Sequence, residues 1–234
     1  MPIRGITLDL EGTIIDAEGA HHEGHLATAS ELGLKLGREE AIAAIPGFVG
    51  GGDEAVAAGL FRLASSPPPV DQILMRLKYH YNQRLKHTEI VPRPYFCGRM
   101  QELLAKRLPV AIGSLTPRSE AEVLLERAGL TRLLSALPMI FREDVVHVKP
   151  DPEVFQRTAR ILGIPVDSQL VIEDSPVGVV AAVAAGSVAV ALPVLDSPPV
   201  RESLLRAGAR LVLSGWEAVD VESLLQLEGP RRDV

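Results

Sequence analysis

The sequence predicts an α/β protein: a parallel sheet with helices on both faces, interrupted by an inserted all-helical segment. Three observations lead to this fold class. A short apolar run over residues 3–10 opens the chain, helical patterns fill residues 17–91, and short β-rich runs then alternate with helical sequence. Such alternation is typical of a parallel sheet covered on both faces. We therefore predict a core domain from residues 1–16 and 92–234, and a small helical domain from residues 17–91.

The first strand is predicted over residues 3–10, because an apolar run that ends abruptly in charged and glycine-containing sequence is typical of a buried parallel strand. Five further strands are predicted after the helical segment, over residues 109–113, 138–141, 170–172, 188–192 and 211–213. Each of these runs is followed by helical sequence. Sheets of this kind bind ligands at the carboxyl ends of their strands, so functional residues are expected there.

Residue types also mark the helix boundaries. Three of the later helices are predicted to begin after a capping residue that precedes a proline, and to end at a glycine. The capping residues are Thr116, Asp151 and Ser175, and the glycines are Gly129, Gly163 and Gly186. In the helical segment, the apolar spacing over residues 70–85 predicts one amphipathic helix. The Ser-Ser-Pro-Pro-Pro run at 65–69 predicts a turn between helices, with a flexible linker as the alternative.

Composition restricts the class of protein. The chain has 234 residues, of which 47% are hydrophobic, as in a globular rather than a disordered protein. No apolar run reaches the roughly 18 to 20 residues of a membrane span, and the start lacks a signal-peptide pattern. We therefore expect a cytoplasmic protein with no membrane partner. Cys97 is the only cysteine, which excludes an internal disulfide. We expect a monomer, because no exposed apolar stripe can be identified.

Carboxylates are placed where two predicted strands end. Asp9 and Glu11 follow the first strand, and Glu173 and Asp174 follow the strand at residues 170–172. Clustered carboxylates repel one another unless a cation compensates them. Mg²⁺ prefers one or two carboxylates together with phosphate and water, so the pattern favours Mg²⁺ as the cofactor.

Positive and neutral groups for an anion are predicted at the same level of the sheet. Lys149 precedes the helix start at Asp151, and Ser114 ends the strand at residues 109–113. The Ser114 hydroxyl and the amides of Leu115 and Thr116 are expected to form a neutral cradle for an anion. The net charge of −6 and the scattered Lys and Arg residues argue against nucleic acid as a partner.

Four motifs occur in order at these strand ends: DLEGTIID at residues 9–16, Ser114, VKPDP at residues 148–152, and VIEDSPVG at residues 171–178. Together they resemble the motifs of the haloacid dehalogenase (HAD) superfamily, and the resemblance covers nearly the whole chain. The helical segment resembles the type-1 cap of phosphoglycolate phosphatase-like and β-phosphoglucomutase-like members. The resemblance implies a Rossmann-like three-layer core with an inserted cap domain.

The resemblance also implies roles for these residues. Asp9 would be the nucleophile that forms an aspartyl-phosphate. Glu11 would act as general acid and then as general base, and its backbone carbonyl would help to bind Mg²⁺. Ser114 and Lys149 would hold the phosphoryl oxygens, with Lys149 also steadying Asp9. The metal ligands would be Asp9, Glu11, Glu173 and Asp174.

Two further residues are expected at the substrate on the same basis. Thr13 would contribute its hydroxyl or amide to the site. His21 lies where related caps often carry a histidine that faces the active site. Arg118, beside the second motif, is an open case between a substrate contact and a solvated helix residue.

Glu11 departs from the family pattern. Most phosphatases of this superfamily have Asp at this position, and Glu is longer by one carbon–carbon bond, roughly 1.5 Å. Enolase-phosphatases also have Glu there, whereas haloacid dehalogenases lack a carboxylate. The residue therefore argues against dehalogenation and leaves open an altered leaving-group preference or a reduced turnover.

The function that the resemblance favours is a Mg²⁺-dependent phosphatase acting on a small phosphorylated metabolite. The first alternative is a phosphosugar mutase of the β-phosphoglucomutase type. The absence of a basic residue between Glu40 and Leu60, where that mutase has its substrate-gripping arginine, argues against it. The second alternative is a non-catalytic metabolite-binding or partner-binding module, in which Glu11 would be a sign of lost chemistry.

Two other patterns in the helical segment have competing interpretations. His21 and His25 stand four residues apart on a predicted helix, as metal ligands can, but the sequence indicates no third ligand within reach. We therefore expect a solvated or substrate-facing helix start. The glycine-rich run at residues 47–52 is neither a P-loop nor a dinucleotide fingerprint, and we expect a turn between helices there.

Overall fold

The computed structural model describes residues 1–45, 47–48 and 52–228. The chain divides into two compact units. The core unit comprises Met1–Asp16 and Val91–Val234, and the helical unit comprises Ala17–Ile90. The chain returns from the helical unit to the core unit after Ile90, one residue before the predicted boundary at residue 91.

The core unit contains a six-stranded parallel sheet in the order β3-β2-β1-β4-β5-β6. Its strands are β1 (Gly5–Leu8), β2 (Val110–Gly113), β3 (Met139–Ile140), β4 (Gln169–Glu173), β5 (Val188–Ala191) and β6 (Leu211–Val212). All the predicted strands are present, and the α/β fold class is confirmed. β1 is shorter than its apolar run because the chain leaves the sheet at Asp9. The strand order reverses at β1 and β4, and this is where parallel sheets of this order bind ligands.

The helical unit contains α1 (Glu18–Glu31), α2 (Arg38–Ala44), α3 (Asp53–Leu63) and α4 (Val70–Leu85). Its apolar core consists of Ala29, Ala41, Ile45, Phe48, Val56, Ala57, Leu60, Ile73 and Leu77. The predicted amphipathic helix is α4, and the predicted turn at residues 65–69 lies between α3 and α4. Gly24 lets α1 approach α4 closely, because a Cβ atom there would lie 3.0 Å from the backbone nitrogen of Tyr81. Part of the predicted turn at 47–52 lies outside the described residues.

The remaining helices belong to the core unit. They are α5 (Phe96–Ala105), α6 (Arg118–Arg127), α7 (Thr131–Leu134), α8 (Glu153–Ile161), α9 (Pro176–Ala185), α10 (Pro198–Arg206) and α11 (Val221–Leu225). Ser175 caps α9, as predicted, with its hydroxyl accepting a hydrogen bond from the Gly178 amide. The prediction that Thr116 caps the helix that follows it, α6, is wrong. α6 begins only at Arg118, and the Thr116 hydroxyl is bonded elsewhere. In the described part of the chain, no helix is both long and apolar enough to cross a bilayer.

Candidate active site

The predicted strand-end carboxylates meet where the strand order reverses. β1 and β4 are neighbours in register, with Leu8 opposite Ile172, and the Asp9 amide donates to the Ile172 carbonyl at 3.0 Å. Asp9 therefore starts where β1 ends, beside Glu173 at the end of β4. Both side chains are buried.

Lys149 lies between these two carboxylates. Its Nζ donates to Asp9 Oδ1 at 2.6 Å and to Glu173 Oε1 at 2.7 Å, and it lies 4.9 Å from the centre of the Phe155 ring. The Lys149 side chain is only 8% exposed, so the ion pairs are shielded from solvent. The burial of one cation between two anions fixes all three side chains.

The electrostatics of the site follow from this burial. Burial raises the pKa of Asp9 to about 7, although Lys149 opposes the shift, and the charges of Glu173 and Glu11 raise it further. Burial also opposes ionisation of Glu173, but Lys149 and Ser175 hold its pKa below the usual value. Burial disfavours the Lys149 ammonium as well, yet Asp9 and Glu173 raise its pKa. The site therefore holds more negative charge than Lys149 alone compensates.

Glu173 is fixed by both of its oxygens. While Oε1 accepts from Lys149, Oε2 accepts from the amides of Asp174 and Ser175 and from the Ser175 hydroxyl, each at 2.9 Å. Gly178 is required beside it, because a Cβ atom at that position would overlap the Glu173 carboxylate. Glu173 therefore orients the backbone of Asp174 and Ser175.

A tight turn follows Asp9. The amides of Ile14 and Ile15 both donate to the Leu10 carbonyl, and Gly12 has a φ of +80°, which favours glycine. A side chain at Gly12 would overlap the Asp174 carboxylate. The turn thus places the residues after β1 directly against the residues after β4.

Thr13 contributes to this contact, as its hydroxyl donates to Asp174 Oδ1 at 3.4 Å. Oxygen atoms of Asp9, Glu173 and Asp174 lie within 4.8 Å of one another. An all-oxygen set with excess negative charge fits Mg²⁺, which prefers carboxylates and water. The residues present are therefore suited to the cofactor that the sequence predicts.

A chain of hydroxyl groups links Ser114 to Glu11. The Ser114 and Thr116 hydroxyls are 2.9 Å apart, and the Thr116 hydroxyl donates to Glu11 Oε1 at 2.5 Å. The Thr116 amide donates to Ser114 Oγ at 3.2 Å, so it is not the free cradle amide that the sequence predicts. Leu115 lies between these residues and is half-buried. The role of Thr116 in this arrangement is to hold Glu11.

Two further candidate residues have contacts of their own. The Arg118 guanidinium pairs with Asp144 at 2.7 Å and stands over the Phe141 ring. These contacts are sufficient to explain the position of the Arg118 side chain. His21 belongs to the helical unit, where its ring stacks on Tyr81 with centroids 3.9 Å apart.

Comparison with known proteins shows the family of the chain. A family model described as haloacid dehalogenase-like hydrolase matches residues 6–192, which include all four motifs. The chain belongs to this family. The resemblance that the motifs indicate is therefore confirmed, and the protein is a HAD-like hydrolase.

The proteins similar to this hydrolase include two named phosphatases and a solved structure. The chain is 28% identical over 188 residues to fructose-1-phosphate phosphatase of Escherichia coli, covering 80% of this chain and 94% of that protein. It is 25% identical to the phosphorylated carbohydrates phosphatase of Thermotoga maritima, covering 94% and 98% of the two chains. A solved HAD family hydrolase from Deinococcus radiodurans, with bound phosphate and sodium, is 29% identical, covers 92% of this chain and 93% of that one, and has a TM-score of 0.73.

Two residues that support the site of this HAD-like hydrolase were not predicted from the sequence. The buried Arg93 guanidinium donates to the carbonyls of Gly12, Leu192 and Pro193, tying the turn after β1 to the segment after β5. Trp216 Nε1 donates to the Thr13 carbonyl at 2.7 Å. In the sequence, Arg93 stands between two prolines and Trp216 is the one tryptophan. Neither feature indicates which group the side chain contacts.

Proposed function

We propose that this protein is a Mg²⁺-dependent phosphatase that hydrolyses a small phosphorylated metabolite through an aspartyl-phosphate intermediate, an acyl phosphate of the Asp9 carboxyl group. The observation that carries the proposal is the buried Asp9 carboxylate, bonded to Lys149 through one oxygen and lying beside Asp174. The phosphatase names of the relatives from E. coli and T. maritima support phosphorylated carbohydrates as the substrate class.

In the first step, Asp9 attacks phosphorus. Because Oδ1 accepts from Lys149, Oδ2 is the oxygen that is free to attack. The bond between phosphorus and the leaving oxygen breaks, and protonated Glu11 gives its proton to that oxygen. The products are the free alcohol, a phosphorylated Asp9 and an ionised Glu11.

In the second step, Glu11 takes a proton from water, and the resulting hydroxide attacks phosphorus. The bond to Asp9 breaks, which releases inorganic phosphate and restores the Asp9 carboxylate and the protonated Glu11. The Ser114 hydroxyl and the Lys149 ammonium would hold the phosphoryl oxygens in both steps. The Thr116 hydroxyl would position Glu11 without contacting the substrate.

The Asp9 and Asp174 carboxylates would hold Mg²⁺, together with the backbone carbonyl of Glu11. When bound, the ion supplies positive charge that screens the approaching phosphoryl oxygens. Glu173 has both oxygens engaged by hydrogen bonds, so we assign it to orienting Lys149 and the Asp174 backbone at the edge of this ligand set.

The Asp9→Asn variant tests the proposal. We expect it to abolish the release of inorganic phosphate from p-nitrophenyl phosphate, because an amide is a poor nucleophile. Asp196→Asn removes an exposed carboxylate from the same unit and should leave turnover unchanged. Removal of metal with EDTA should abolish activity, and added Mg²⁺ should restore it.

Retention of a tenth of the wild-type rate by Asp9→Asn would overturn the assignment of the nucleophile. Activity that resists EDTA would remove Mg²⁺ from the reaction. A substrate panel followed by phosphorus NMR also separates hydrolysis from transfer: an isomeric sugar phosphate that forms faster than inorganic phosphate would identify a mutase.

A further inference from the structure

A second group of metal-ligating side chains lies in the helical unit. His21 and His25 are on α1, with ring centroids 5.9 Å apart, and Asp53 is the first residue of α3. Ligand atoms of these residues lie within 4.8 Å of one another. The expectation that no third ligand is within reach of the two histidines is wrong. Asp53 is 28 residues from His25 in sequence, and the fold brings it to the same place.

The distances within the group fit a metal ion. His25 Nε2 and Asp53 Oδ1 are 3.1 Å apart. Two ligand atoms that each lie about 2.0 to 2.1 Å from a tetrahedral ion are separated by roughly 3.3 Å. This pair therefore needs only a small displacement to share an ion.

The surrounding rings hold the histidines in place. His21 stacks on Tyr81 at an interplanar angle of 14°, and His25 meets Phe48 edge-on with centroids 5.5 Å apart. The His25 ring is almost completely buried and its Nδ1 is enclosed, so Nε2 is the nitrogen that faces Asp53. Such packing preorganises a ligand, because little side-chain freedom remains to be lost on binding.

The group is also open to an incoming ion. The Asp53 side chain is 36% exposed, and His21 is half-buried. His25 is thus the buried member of the cluster, and His21 and Asp53 are its partly exposed members.

We propose that His21, His25 and Asp53 bind a divalent transition-metal ion of the Zn²⁺ type, with water completing its coordination. Two imidazole nitrogens and one carboxylate oxygen suit Zn²⁺, Co²⁺ or Ni²⁺, whereas Mg²⁺ prefers oxygen ligands alone. The donor atoms therefore distinguish this site from the carboxylate cluster of the core unit. The proposal does not rest on the proposed function: the resemblance assigns His21 to the substrate, but none of the three residues acts in the two phosphoryl-transfer steps described above.

Another group with ligand-type side chains, His147, Asp151 and Glu153, is a weaker candidate. Glu153 Oε2 already accepts from the amides of Val146 and His147, and its other oxygen accepts from Arg157. His147 is exposed. This group serves better as a control than as a site.

Isothermal titration calorimetry of the full chain tests the proposal. The protein is stripped with a chelator, transferred to buffer with millimolar Mg²⁺ to fill the carboxylate cluster, and titrated with Zn²⁺. We expect one Zn²⁺ per chain. His25→Gln and Asp53→Asn should each weaken binding by at least about 100-fold, because even the loss of an outer partner of a ligand costs 10- to 100-fold.

Two controls accompany these variants. His80→Ala removes a histidine of the same unit whose ion-pair partner is Glu31, and His147→Ala removes the exposed histidine of the other group. Both should bind Zn²⁺ as the wild type does. The variants leave His21 intact, since the family resemblance assigns that residue to the substrate.

The NMR signals of the imidazole nitrogens provide a second readout. Zn²⁺ should shift the ring resonances of His21 and His25 and leave those of His80 unchanged. Asp53→Asn alters a partly exposed residue with little change in size. It therefore remains a test of Zn²⁺ binding if His25→Gln fails to fold. Wild-type affinity in Asp53→Asn, or binding lost only in His147→Ala, would overturn the proposal. So would the absence of binding heat at Zn²⁺ concentrations up to about a millimolar.

Discussion

The carboxylate cluster of the core unit and the histidine cluster of the helical unit are built in different ways. Asp9 and Glu173 extend from neighbouring strands whose register fixes their separation, and Lys149 joins them in a buried ion pair. His25 and Asp53 come from separate helices, and Asp53 is partly exposed. Sheet register therefore makes the carboxylate cluster rigid and predictable, whereas the histidine cluster depends on how helices pack.

Removal of the acid–base group of the core site should give the largest effect. Glu11→Gln should keep the fold but slow turnover by about 10² to 10⁴-fold, the usual loss of general acid–base catalysis. Formation of the phosphoenzyme from p-nitrophenyl phosphate should be little affected, because p-nitrophenolate leaves without a proton. An alkyl phosphate should react far more slowly at that step. Rapid-mixing measurements should therefore show a burst of p-nitrophenol followed by a slow steady state.

Thr116→Val is the matched control for this experiment, as it removes the hydroxyl that bonds to Glu11 and keeps the carboxyl group. It should slow turnover less than Glu11→Gln does. Equal slowing of the burst for both leaving groups in Glu11→Gln would show that Glu11 acts through local structure, and the acid role would be withdrawn.

Loss of the buried cation should give the largest effect on stability. Lys149→Met leaves Asp9 and Glu173 facing each other without a positive charge, and such a loss costs about 3 to 5 kcal/mol. The free energy of unfolding in urea, measured without Mg²⁺, reports this cost. Lys106→Met breaks an ion pair with the exposed Glu222 and should cost less than about 1 kcal/mol. Equal costs for the two variants would contradict the view that burial makes the core cluster rigid.

Two helical glycines allow a finer test of that rigidity. Gly178 is the third residue of α9 and faces the Glu173 carboxylate, whereas Gly98 is the third residue of α5 and has open space around it. Gly178→Ala should destabilise the protein by about 1 to 3 kcal/mol through overpacking. It should also weaken Mg²⁺ binding, measured by calorimetry.

Gly98→Ala should instead stabilise the protein, by about 0.5 to 1 kcal/mol, because alanine is the better helix former. A stabilising effect of both substitutions would show that Glu173 moves freely, which would contradict the hydrogen bonds that fix it.

The sequence predicted much of the core and little of the contacts that tie it together. Apolar runs located the strands, and because parallel strands end at one edge, the residues after β1 and β4 could be expected to meet. Thr116 was misread because local capping signals do not reveal a tertiary partner such as Glu11. Arg93 and Asp53 were missed for the same reason, since their partners lie far away in sequence.

The smallest effect is expected in the helical unit. Without metal, Asp53→Asn should lower the free energy of unfolding by less than about 1 kcal/mol, because Asp53 is partly exposed and its ion-pair partner is the His25 ring. With Zn²⁺ at about 100 times its dissociation constant, the wild type should gain about 2.7 kcal/mol and the variant much less. Thermal melts with and without Zn²⁺ measure both values. An equal gain in stability for the wild type and Asp53→Asn would show that Asp53 does not help to bind Zn²⁺.

The phosphoryl group of the proposed intermediate can be trapped and located on the enzyme. Glu11→Gln, mixed with p-nitrophenyl phosphate and Mg²⁺, should accumulate the intermediate, and acid quenching followed by borohydride reduction and mass spectrometry should identify the modified residue. We expect modification at Asp9 and none in the Asp9→Asn, Glu11→Gln double variant. Modification at another residue, or rapid turnover with no trapped phosphate in the wild type, would contradict it.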